Sequence, residues 1–143
     1  MKNQIILFLF FWVSSLMGGA KVKFTDQQIA SMVPKVFVRD HNAPKITRIR
    51  IYAENGEKIF HLEIEVNRSR YEGQMDYTIA AMANLAQYAK KPFDKLKVIL
   101  HPMRRGVDSE LVEANAKCSI NYFIRKKMNY DRWIKYCLTI TPI

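Results

Sequence analysis

Cysteine, histidine and carboxylates are all scarce in this chain of 143 residues, and each shortage closes off a kind of chemistry. Cys118 and Cys137 stand nineteen residues apart with no histidine after His101, so no zinc ligand set can be assembled from local spacing. No phosphate-cradling glycine loop, nucleophile motif or metal motif occurs anywhere, and neither a cofactor nor a metal is implied. Repeats and low-complexity tracts are also missing, which argues for one packed unit. Against 23 lysines and arginines there are only 13 acidic residues, giving a net charge of +10, yet no run of five or more like charges appears. A basic surface of this kind favours an acidic protein, an anionic glycan or polymer, or a membrane surface.

Long apolar runs are missing as well, except at the start. Met1 to Ala20 carries Lys2, then an unbroken apolar stretch from Ile5 to Val13, then Gly18-Gly19-Ala20. That order is the signature of a cleaved secretory signal, and the stretch is too short to span a bilayer as a helix. The expected mature chain is residues 21–143, a single domain without a transmembrane segment, placed in a periplasm or outside the cell. No cysteine sits at the cleavage point, which argues against a lipoprotein. In an oxidising compartment the two cysteines are expected to pair. Export also makes nucleic acid the least favoured anionic partner.

What the chain does have is a hairpin over residues 45–66. Asn55-Gly56 suits a type I′ turn, whose two central positions need φ > 0. A two-residue loop then fixes the register, with Ile51 opposite Phe60, Ile49 opposite Leu62 and Thr47 opposite Ile64 on an apolar face. Arg48 opposite Glu63 and Arg50 opposite His61 make the other face charged. Before the hairpin, Thr25 and Gln28 form a capping box for a short helix that should stop at Pro34, followed by an extended piece at Val36 to Val38. After it, Met75, Ile79, Met82 and Ala86 stripe a helix over 74–91, with Asp76 in its first turn and Pro92 as its stop.

Alternation predicts a strand near 95–101, parallel to the second strand of the hairpin. Leu111, Val112 and Ala114 suggest a short helical turn, and Cys118, Ile120, Tyr122 and Ile124 suggest a strand over 116–125. Asn129 caps a helix through Trp133, and 138–142 reads as a last strand. The expected fold is a small α+β domain, with a mixed, largely antiparallel sheet and helices packed on one face.

Three surfaces merit attention. Arg125, Lys126, Lys127, Arg132 and Lys135 interleave with Tyr122, Phe123, Tyr130, Trp133 and Tyr136, a mixture of cations and rings that suits anionic ligands, although rings at helix spacing also serve as core. Arg104 and Arg105 form a smaller basic loop. Asn67-Arg68-Ser69 fits an N-glycosylation pattern. For catalysis, His41 beside Asp40 is turn chemistry, and neither His61 nor His101 has a carboxylate at metal-ligand spacing. The leading expectation is therefore an exported binding or adaptor protein without catalytic residues, acting through the cationic face. A small enzyme or toxin with a site assembled from scattered His, Asp and Arg is the alternative, and an envelope component using strand addition is a third.

Overall fold

A computed structural model of the chain describes residues 22–38, 40–41 and 43–143, so the expected signal segment lies outside the described residues. The hairpin forms as strands β1 (Lys45–Glu54) and β2 (Glu57–Val66), with Asn55 and Gly56 at φ of 52° and 77° in the turn. Ile51 faces Phe60 and Ile49 faces Leu62, as the two-residue loop requires. Near its start β1 departs from the expected register. Thr47 bulges out, its hydroxyl donating to the Glu63 carbonyl at 3.2 Å, and Ile46 takes the place opposite Ile64. The bulge brings an apolar residue to the core face where strict alternation would have put a threonine.

Helix α1 (Asp26–Val38) starts on the predicted capping box, in which Thr25 Oγ1 accepts from Gln28 N and Gln28 Oε1 accepts from Thr25 N. It does not stop at Pro34, and Val36 to Val38 is helical rather than extended. Ile29, Val33 and Phe37 are buried one turn apart, and the anchoring of Phe37 in the core outweighs the one backbone bond that proline forgoes.

Helix α2 (Tyr71–Ala86) begins three residues before and ends five before the expected bounds. A 3-10 turn capped by Asn67 leads into it, and the Gln74 side chain accepts from Asn67 N at 2.8 Å. At the other end, Tyr88 N and Ala89 N bond three residues back, and Phe24 catches the chain by pairing with Tyr88 and Lys90. The helix is thus unwound by a strand-like bridge before Pro92 is reached. Asp76 consequently lies in the second turn, not the first.

Strand β3 (Lys95–Pro102) runs parallel to β2, with Phe60 opposite Leu96, Leu62 opposite Val98 and Ile64 opposite Leu100. The next two elements reverse the sequence expectation. Glu110–Asn115 is strand β4, and Ala116–Phe123 is helix α3 instead of a strand. Val112 and Ala114 alternate into the core, and then Asn115 Oδ1 accepts from Cys118 N at 2.9 Å and starts the helix. Ala116 and Ser119, three apart, are buried on its inner side. Helix α4 (Tyr130–Cys137) has the predicted cap, with Asn129 Oδ1 accepting from Arg132 N, and strand β5 (Leu138–Pro142) closes the sheet.

The result is a small single α+β domain with one five-stranded sheet in the order β1-β2-β3-β4-β5, parallel only between β2 and β3. Phe60, Leu62, Ile64, Leu96, Val98, Leu100 and Val112 present one apolar face to α1 and α2, and all are fully buried. Trp133 completes that core beneath α3, its indole N–H donating to Ser119 Oγ at 3.1 Å. No helix among the described residues is long and apolar enough to cross a membrane.

Candidate functional site

The segment from α3 through α4 carries Lys117, Arg125, Lys126, Lys127, Arg132 and Lys135 against a single carboxylate, Asp131. All six cations are exposed, and none forms an ion pair among the described residues. The backbone arranges them. Asn121 O accepts from Lys127 N, and Lys126 sits at φ 55°, so the chain reverses sharply after α3 and presents Arg125, Lys126 and Lys127 on the bend. One turn of α4 then holds Arg132, Lys135 and Tyr136 at three-and-four spacing.

The rings divide between core and surface. Tyr122 stacks on the buried Trp133 with centroids 5.3 Å apart, and Phe123 meets it edge-on at 4.9 Å. They are packing. Tyr136 is 71% exposed, and the Lys135 ammonium lies 5.4 Å from its ring. Cys118 and Cys137 stand at disulfide distance with Cα atoms 6.1 Å apart, tying α3 to the end of α4 and fitting an oxidising environment. Beside this surface, Lys23, Lys117 and Arg125 rim a cleft of about 450 Å³ whose apolar wall includes Ala86, Ala89, Phe93 and Ile120.

Asp76 lies beneath the same region. Its Oδ1 is buried without a hydrogen-bond partner, and burial raises its pKa although the Tyr130 hydroxyl bonds it.

The open face of the sheet is organised differently. Three of its cations lie beside carboxylates, Lys95 by Glu113 and Glu57 at 3.3 and 3.7 Å, Lys97 by Glu54 at 3.5 Å, and Arg48 by Glu63 at 3.8 Å, while Arg50 lies over the Tyr52 ring. In its middle runs a chain of side chains that sequence reasoning missed. Tyr52 Oη lies 3.2 Å from His61 Nδ1, and His61 Nε2 lies 3.3 Å from Glu63 Oε2. Glu63 Oε1 lies 2.9 Å from His101 Nε2, and His101 Nδ1 lies 2.8 Å from Ser109 Oγ. The hydrogen bond from His101, with further help from His61, holds the Glu63 carboxyl below the usual range. Burial holds the His61 imidazole below its ordinary value, and Glu63 only partly offsets it. A neutral imidazole at either position that donates to Glu63 through Nε2 has Nδ1 as an acceptor.

His61 and Glu63, two apart on one face of β2, were visible as neighbours. Their link to His101 follows from the parallel pairing, in which Glu63 stands opposite Ile99 and His101 opposite Glu65, one pleat away. Ser109 enters only because the loop after β3 folds back into β4. Arg104 and Arg105 are exposed on that loop, His41 is exposed in the turn before β1, and the amide oxygen of Asn67 is used in capping Ser69. Among the described residues no group of histidine, cysteine and carboxylate side chains is placed to hold a metal ion. No family model matches the chain, and no curated protein and no solved structure matches it.

Proposed function

We propose that the protein is an exported binding module that captures an anionic partner, an acidic polymer or protein or a charged membrane surface, on the cationic surface of α3 and α4. The observation that carries this reading is the uneven pairing of charge. Lys95, Lys97 and Arg48 on the sheet lie beside carboxylates, while Arg125, Lys126, Lys127, Arg132 and Lys135 stand exposed with no carboxylate partner among the described residues. Unpaired cations on one surface raise the local potential and concentrate anions there. Lys117 and Arg125 also border the neighbouring cleft, which offers an apolar wall to the non-polar part of such a partner. The pairing of Cys118 with Cys137 supports both the compartment and the fixed spacing of the two helices.

The test is retention of residues 21–143 on an immobilised acidic polysaccharide and on vesicles containing anionic phospholipid. Retention at low salt that is lost at high salt is expected, since exposed charge contacts are screened within about 10 Å at 0.1 M. Neutralising the five named cations should abolish it while leaving the fold intact. Equal retention by that variant rejects the surface.

A further inference from the structure

Separate from the cationic surface, the open face of the sheet holds a hydroxyl, an imidazole and a carboxylate in sequence. We propose that Ser109, His101 and Glu63 form a hydrolytic site for carboxylic esters, with Ser109 as nucleophile, His101 as general base and Glu63 as the residue that positions it. Glu63 accepts from His101 Nε2 at 2.9 Å, so the lone pair on His101 Nδ1 faces Ser109 Oγ at 2.8 Å and the serine hydroxyl donates to it. A serine hydroxyl bonded to a basic imidazole nitrogen, with that imidazole fixed by a carboxylate, is the arrangement that activates an otherwise weak nucleophile.

Exposure is graded in the order this chemistry needs. His101 is 39% exposed and Glu63 15% at the side chain, while His61 behind them is nearly closed off at 6%. His61 holds the second oxygen of Glu63, and Tyr52 in turn holds His61, so the carboxylate cannot rotate away from His101. Ser109 is fixed from its other side, its carbonyl accepting from Ile143 N at 2.9 Å. Ser109 is half-buried and lies just before β4, where water is available to it.

The step balances without a cofactor. Ser109 Oγ attacks the acyl carbon as its proton passes to His101 Nδ1, and the imidazolium returns that proton to the departing alkoxide. Water, deprotonated by the same nitrogen, then cleaves the acyl-serine, so ester and water give acid and alcohol. Arg104 and Arg105 are exposed on the loop that leads into Ser109, which favours approach of a negatively charged substrate.

Incubation of residues 21–143 with a fluorophosphonate and with p-nitrophenyl acetate, followed by peptide mass spectrometry, tests the site. A single adduct on Ser109 is expected, absent from Ser109→Ala. Rates are normalised to the folded fraction by circular dichroism. On that basis His101→Gln and Glu63→Gln should slow adduct formation by roughly 10²- to 10⁴-fold, as loss of the correct tautomer does in such triads. Glu63→Gln should also flatten the pH profile of labelling, which a merely structural carboxylate would not do. An unlabelled Ser109 in the folded wild-type protein overturns the proposal, as does labelling that is indifferent to His101. Because the wild-type readout needs no variant, misfolding of a mutant cannot shield the idea.

Discussion

Two surfaces of this small domain handle charge in opposite ways. On the open face of the sheet, Arg48 stands directly across from Glu63, Lys95 reaches Glu57 and Glu113 diagonally on its two neighbouring strands, and Lys97 reaches over β2 to Glu54 on β1. On α3 and α4 the cations face water, and stability comes from below, from Trp133, Ser119 and the cysteine pair. One surface is stabilised partly by its own polar groups; the other is carried by its core. A surface that does not contribute its charges to folding leaves them available to a partner, and that difference can be broken from either side.

The largest effect should come from the support beneath the cationic surface. Trp133→Ala removes a fully buried indole that stacks with Tyr122, meets Phe123 edge-on and donates to Ser119. A loss of about 3–5 kcal/mol is expected, in the range for large aromatic truncations. Urea titration of wild type and variant measures it, and hydrogen exchange should place the earliest opening in α3 and α4. An opening that starts in β1 and β2 would contradict the division drawn above.

Next is the covalent tie. Cys118→Ser with Cys137→Ser opens a loop of 19 residues, for which chain entropy predicts a loss of about 3 kcal/mol. Salt-dependent retention of the double-serine variant should weaken more than its overall fold does, because the two halves of the cationic surface are no longer held at one spacing. Retention that survives unchanged would show that α3 and α4 need no clamp.

The two regions should also answer pH with opposite sign. His61 and Glu63 on the sheet have lowered pKa values, so the folded state binds fewer protons than the unfolded state. Their contribution is complete above the unfolded values and is lost as pH falls, first through His61 below 6.5 and then through Glu63 below 4.5. Asp76 under α4 is raised by burial, so its contribution is complete below 3.8 and is lost as pH rises through its folded value. Asp76→Asn should therefore flatten the stability curve between 3.8 and that raised folded value, whereas Glu63→Gln should flatten it below 4.5. Thermal melts from pH 3 to pH 8 separate them, and identical profiles for the two variants would refute the assignment.

How far the fold could be read in advance follows the same contrast. The hairpin was legible because a turn with φ > 0 and a period of two leave few alternatives, and the capping residues Thr25 and Asn129 announced two helix starts. The stretch from Glu110 to Phe123 was not, because Cys118, Ile120, Tyr122 and Ile124 alternate while Ala116 and Ser119 also fit a helix. Only the buried position of Ser119 under Trp133 and the cap at Asn115 decide between them. The cationic residues could be picked out by type, since exposed charge is a property of composition. The chain from Tyr52 to Ser109 could not, because it is joined by a parallel register and a loop return rather than by spacing along one strand.

The smallest effect gives the sharpest comparison. Reversing one charge on each surface, Lys97→Glu on the sheet and Lys126→Glu on the bend after α3, changes net charge by the same amount. Lys97 is 16% exposed and lies 3.5 Å from Glu54, so its reversal replaces an attraction with a repulsion next to His61. A cost of about 0.5–1 kcal/mol is expected, the upper part of the range for surface pairs. The second variant has no ion pair to lose and should melt with the wild type. Yet Lys126→Glu should weaken capture of an anionic polymer more than Lys97→Glu does, because only the unpaired cation projects its field into solution. Differential scanning calorimetry and salt-gradient retention on the same two proteins therefore predict opposite rank orders. The same order in both measurements would mean that binding follows total charge, and that the α3 and α4 surface is not distinct.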